Sequence, residues 1–311
     1  GKTEIAQGAF NHGFKGLCSV FVTAAFAFAG TELCALAAAE TSNPRKALPK
    51  ATKQVFWRIT LFYVISLTLV GLLVPYGDKS LGGASYDARA SPFVISIKNA
   101  GITALPSIFN VVILISVLSV GNSSTFGCSR TMVSMAEQGF APKIFGYIDK
   151  AGRPMVATAI TLAFGLLCFL VASSKEGTVF TWMLAISGLS SIFTWASSCA
   201  CHVVFRMALK AQGRTTDVLS FTAQTGVWGS GYCVLGYCAV LAAQCWVAAW
   251  PCELSPAGAG RANDFFQAYL AAPIVLFFYF VYMLWKRDFT IFNGLKNIDL
   301  DTTRKVVDMD L

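Results

Sequence analysis

Glu32 lies beside Gly30 in Phe26-Ala27-Phe28-Ala29-Gly30-Thr31-Glu32, in the middle of an almost uninterrupted apolar run from Phe14 to Glu40. An ionisable group inside a membrane-spanning stretch marks a functional site by default, because hydrocarbon offers nothing to solvate it. Gly30 is where a helix can unwind, and unwound backbone presents carbonyls and amides to a polar ligand. If the helix breaks near Phe28 to Gly30, the carbonyls that end its outer half suit a cationic group, as helix C-termini do in general. Main-chain binding by Phe26, Ala27, Phe28, Ala29, Gly30 and Thr31 is therefore expected, with Phe28 closing over the ligand. Glu32 is expected to bind the ligand or carry a proton, against the plainer reading of a first-turn acid that satisfies helix amides.

A second polar group falls in the third apolar segment: Ser116, Ser119, Gly121, Asn122, Ser123, Ser124 and Thr125. That stripe is too polar to face lipid on all sides and should meet protein or water, although small polar residues also act as packing glue between spanning helices. Ser187-Gly188 and Ser190-Ser191 present the same choice. Ser119, Asn122 and Ser187 are the candidates for a wall facing the break. Asn122-Ser123-Ser124 matches a glycosylation sequon, but its depth in a span makes the match accidental. Of the two histidines, His12 precedes the first span and His202 sits beside Arg206 at a helix end, positions that suit interfacial or capping roles better than a relay. The ten cysteines lack metal-ligand spacing and read as small apolar packing residues, with Cys252 set apart in a loop. With no Gly-rich phosphate loop, metal cluster or Ser/His/Asp set, neither an enzyme nor a cofactor is expected.

The elements that must position these residues follow from composition. With 55% hydrophobic and 13% charged residues and a mean hydropathy of +0.61, the chain is an all-α membrane protein rather than a soluble domain. Crossing hydrocarbon about 30 Å thick takes roughly 20 helical residues, and seven segments are long enough: about 14–40, 55–76, 106–134, 154–173, 179–207, 227–250 and 265–286. An odd number puts the termini on opposite sides. Of the 24 Lys and Arg residues, 17 fall in alternate connections and seven in the others, so the net charge of +8 reports orientation, not nucleic acid. The rich side, which includes the loops at Lys50, Lys150 and Gln212 and the C-terminus, should be cytoplasmic. Thr41 to Lys50, with two prolines and three cations, reads as a solvated anchoring loop. Ser91 to Ala100 reads as a short helix that caps a vestibule or lies on headgroups. A chain that starts outside with Gly1 is expected to have something ahead of it.

Several motifs in order resemble the fungal general amino acid permeases of the amino acid, polyamine and organocation superfamily. Phe26 to Glu32, followed by Glu40-Thr41-Ser42-Asn43-Pro44-Arg45-Lys46, is similar to their sixth helix and the loop after it. Leu118 to Ser124, Cys128 to Val133, Ala136 to Pro142 and Gly152-Arg153-Pro154 resemble the eighth helix and its exit. Leu184 to Trp195 resembles the tenth helix, Gly226 to Ser230 the start of the eleventh, and Asp299 to Arg304 the start of the cytoplasmic tail.

The resemblance implies a leucine-transporter-like fold of two inverted five-helix repeats plus two helices, of which this chain would hold the sixth to the twelfth. The N-terminal five-helix repeat, with its glycine-rich first helix that receives a substrate carboxylate, has no counterpart here. The implied function is proton-coupled uptake of amino acids across the plasma membrane, with amino acid, proton and membrane lipid as partners, the substrate's ammonium at the break, and the isolated fragment inactive. The alternatives are a non-transporting truncated product and a nutrient receptor on a permease scaffold.

Overall fold

In the computed structural model, residues 13–39, 41, 43–75, 81, 91–102, 105–172, 176–216, 219, 222–223, 225–250, 260–287 and 294–300 are described. Every regular element among them is helical. The first apolar run yields α1 (Gly13–Ser19), α2 (Phe21–Phe28) and α3 (Leu33–Ala39). There follow α4 (Pro44–Leu73), α5 (Pro92–Asn99), α6 (Leu105–Glu137), a 3-10 turn at Lys143–Gly146 and α7 (Met155–Gly165), which tightens into a 3-10 helix over Leu166–Ala172. The chain continues through α8 (Glu176–Ala211), α9 (Gly226–Ala249), α10 (Gly260–Tyr269) and α11 (Ala271–Lys286). Among the described residues five stretches, Gly13–Leu36, Lys46–Leu73, Leu105–Glu137, Gly177–Ala211 and Gly226–Ala249, are long and apolar enough to cross a membrane, and Met155–Leu170 and Ala271–Lys286 are shorter apolar helices.

One sequence expectation needs correction. The expected loop at Thr41 to Lys50 is helical from Pro44 onward. Proline is well suited to the first helical position, where its missing N–H would have had no partner, and the Asn43 side chain accepts from the Lys46 amide at 3.2 Å to cap the start. Pro49 then lies inside the helix. The segments expected as spans at 154–173 and 265–286 contain, respectively, Met155–Gly165 followed by a 3-10 helix, and Gly260–Tyr269 followed after Leu270 by Ala271–Lys286. An apolar run sets the length of a span but not its hydrogen-bond register, which local packing can shift from i+4 to i+3. The short helix expected at Ser91 to Ala100 is present as α5, with Phe93 against Phe109 of α6.

The chain divides into two compact units, one built on Gly30–Met183 and the other on Ala6–Ala29 with Leu184–Leu311. In the first, α3 packs on α4, and α6 packs on α7 and on the 3-10 turn. The second has a core of Val22, Ala25, Leu189, Ile192, Ala271 and Ala272. Around it, Trp195 meets Tyr237 at 6.1 Å. The Lys15 ammonium lies over Trp246. Gln212, just past α8, donates to the Ile298 carbonyl at 2.8 Å and so ties the C-terminal segment to this unit. The most apolar windows of α4 and α6 bury none of their residues, a surface suited to lipid or to further spanning helices.

Candidate functional site

The first span breaks where Gly30 predicts. Helix α2 ends at Phe28; Ala29 is extended (φ −59°, ψ 144°) and Gly30 has φ +93°. A side chain is disfavoured at that φ, and glycine is not. Ala29 N–H donates to the Phe26 carbonyl at 3.2 Å, and Leu33 N–H to the Gly30 carbonyl at 3.1 Å, so each side of the break closes with a short turn. The carbonyls of the last turn of α2 therefore end at the break, where their aligned dipoles favour a cation. Phe26, Ala27, Phe28, Ala29 and Glu32 are exposed, and Gly30 and Thr31 half-buried. Glu32 falls immediately before α3, and its carbonyl accepts from Ala35 N–H at 3.0 Å.

The residues before the break are seated on α8. Val22 and Ala25 are buried, at 5% and 7% exposure, in the core with Leu189 and Ile192. The contact is close enough that a Cβ on Gly188 would stand 2.6 Å from the Val22 carbonyl oxygen, 2.8 Å from Val22 Cγ1 and 3.4 Å from Phe26 Cβ. Glycine at 188 thus lets α8 approach α2 main chain to main chain and places exposed Ser187 one residue from that contact.

The residues after the break are seated on α6. A Cβ on Gly127, which is buried, would run into Leu33 Cδ2. Ser119 and Asn122 are exposed on α6. They are not brought onto the contact with α3: at 3.6 residues per turn they lie about 80° and about 140° around the helix from Gly127. The polar stripe is otherwise satisfied within α6 where its bonds are seen, with Ser116 Oγ donating to the Val112 carbonyl and Thr125 Oγ1 to the Gly121 carbonyl. The candidates thus divide, Phe26 to Ala29 and Ser187 in one unit, Gly30 to Glu32, Ser119 and Asn122 in the other.

Gly127 and Gly188 are the residues that sequence reasoning missed as positioning groups. Ser123 and Gly127 have the small-xxx-small spacing that allows close helix contact, a usable signal, whereas Gly188 was legible only as half of a Ser-Gly pair. His202 pairs through Nδ1 with Ser230 Oγ at 2.8 Å, joining α8 to α9. The packing role expected of the cysteines holds for Cys18, which is buried, but Cys128, Cys168, Cys201, Cys233 and Cys238 are exposed; a thiol is apolar enough to sit on the outer face of a spanning helix. His12, Glu40, Ser42 and Cys252 lie outside the described residues. Among the described residues no group of three or more His, Cys, Asp and Glu side chains could hold a metal ion.

A series of helices long and apolar enough to cross a bilayer, one of them broken beside a carboxylate, is the architecture of a multi-pass membrane protein. Residues 2–293 match the family of amino acid permeases. The chain is 59% identical over its whole length to the general amino-acid permease GAP2 of Candida albicans, covering 53% of that protein. It is 58% identical over 96% of its length to the general amino-acid permease GAP1 of Saccharomyces cerevisiae, and 50% identical over 96% to the histidine permease of the same yeast, covering 49% of each. No solved structure matches it. The chain belongs to the amino acid permease family, and it spans about half the length of these curated relatives.

Proposed function

We propose that this chain is the second half of a permease that takes up amino acids across the plasma membrane, driven by a proton gradient, with its C-terminus in the cytoplasm. The observation that carries the reading is the break at Ala29-Gly30, with Gly30 at φ +93° and Glu32 two residues on, inside an otherwise apolar span. The carbonyls ending α2 take the substrate's ammonium group, Phe28 covers it, and Glu32 carries the coupled proton. Ser187, one residue from the contact that seats α2, is a further candidate ligand group. The receptor for the substrate carboxylate belongs to the half of the relatives that this chain does not match, so residues 1–311 alone do not transport.

The test uses a continuous chimera in which the N-terminal part of the Candida albicans relative precedes residues 1–311, expressed in cells lacking endogenous permeases. It should accumulate labelled amino acid in a proton-dependent way, and residues 1–311 alone should not. Glu32→Gln, which removes a charge but little volume, should abolish accumulation against a gradient while the protein still reaches the surface. Normal concentrative uptake by that variant rules out the coupling role; saturable uptake by residues 1–311 alone rules out the half-permease reading. The orientation is checked by single cysteines at 50, 150 and 212 in a background lacking Cys252. An impermeant thiol reagent should leave all three unlabelled in intact cells, and labelling at 50 or 212 reverses the assignment.

A further inference from the structure

The exit from α6 forms a second site with chemistry of its own. Gly139 (φ +75°) ends the helix, and the amides of Phe140 and Ala141 both return to the Met135 carbonyl, at 2.8 and 3.2 Å. The 3-10 turn that follows lies close against α6, with Gly146 near enough that a Cβ there would touch Ala136 Cβ at 3.7 Å. A tight turn closes the segment: Asp149 N–H donates to the Arg153 carbonyl at 2.9 Å, and Gly152 N–H to the Asp149 carbonyl at 2.8 Å. Between this loop and the first turn of α7 is a shallow, open cavity of about 640 Å³ lined by Lys143, Ile144, Gly146, Tyr147 and Val156.

The lining is apolar apart from Lys143. Ile144 and Tyr147 are 63% and 57% exposed; Lys143 is exposed in the lining, and Lys150 and Arg153 are exposed in the loop that follows. The acid of the loop, Asp149, is already engaged, its carboxylate accepting the Lys150 amide at 2.6 Å and lying 3.8 Å from Arg153. An open apolar depression with Lys143 in its lining and two further cations in the adjoining loop, set where one apolar helix ends and the next begins, matches a molecule with an acyl root and an anionic head. A soluble anion would have no use for the apolar wall, and a zwitterionic lipid would gain little from the cations.

We propose that this cavity binds an acidic glycerophospholipid of the surrounding bilayer, with Lys143 on the headgroup phosphate, Lys150 and Arg153 supplying further positive field, and Ile144, Tyr147 and Val156 against the start of the acyl chains. The site is separate from the transport site and fixes the end of α6, the helix that carries Gly127 and the polar stripe.

The test reconstitutes the purified chimera in phosphatidylcholine nanodiscs doped with a photoactivatable phosphatidylserine or with a photoactivatable phosphatidylcholine of the same chains. Both leaflets then have one composition, so the result does not depend on orientation. Peptide 140–156 should be labelled preferentially by phosphatidylserine. Lys143→Gln should lower that preference about fivefold, the worth of one cation near an anionic surface; Lys143→Arg should keep it, and Lys143→Gln with Lys150→Gln and Arg153→Gln should abolish it. Equal labelling by the two lipids shows ordinary boundary lipid only and overturns the proposal. So does absence of label at 140–156, or loss of label on adding inorganic phosphate, which would show a simple anion site.

Discussion

The two halves of the broken span are held in different ways. Before the break, α2 rests on α8 through main chain, with the space at Gly188 bounded by the Val22 carbonyl. After it, α3 rests on α6 through a side chain, with the space at Gly127 filled by the end of Leu33. A carbonyl in a helix cannot move without the helix, whereas a leucine terminus can rotate. The first half is therefore seated rigidly and the second adjustably, and the chain passes from one compact unit to the other at Gly30, between the two seats.

Three substitutions in the chimera break or sharpen this contrast. The largest effect is expected from Gly188→Ala, where the new methyl meets a backbone oxygen at 2.6 Å; overpacking of this kind costs about 1–3 kcal/mol, and the upper end applies because neither helix can yield alone. Thermal unfolding of the purified protein should show it. Adding Val22→Ala removes the Cγ1 contact but not the carbonyl and should restore only part of the loss; full restoration would show that the contact is made by side chains after all.

Gly30→Ala comes next. At φ +93° a Cβ costs about 1–2 kcal/mol, and relieving it shifts the break rather than a packed face. Substrate affinity should therefore fall with only modest thermal destabilisation. An unchanged KM for uptake would separate the glycine from the binding geometry.

Gly127→Ala should cost least, about 0.5–1.5 kcal/mol, because Leu33 can leave its rotamer to make room. Leu33→Ala in the same background should cancel most of the loss, a coupling that a double-mutant cycle measures directly. A Gly127→Ala defect as large as that of Gly188→Ala, and not relieved by Leu33→Ala, would erase the distinction between the two seats.

Much of this was legible in advance, for identifiable reasons. The break could be placed because a glycine and a carboxylate in hydrocarbon are each costly, and together they leave few structural explanations. The start of α4 is hidden in the sequence because Pro44 and Pro49 have the character of loop residues, whereas Pro44 occupies the first helical position and Asn43 caps it. The polar stripe of α6 was visible in the sequence, but which of its faces meets α3 was not.

The sequence by itself determined that the chain spans a membrane, where its first span gives way, and to which family it belongs, since hydropathy, charge and motif order are properties of the residues in line. Only the tertiary structure decided that Gly188 admits a main-chain contact and Gly127 a leucine. A glycine records permission for something to come close, and what comes close is supplied by another helix.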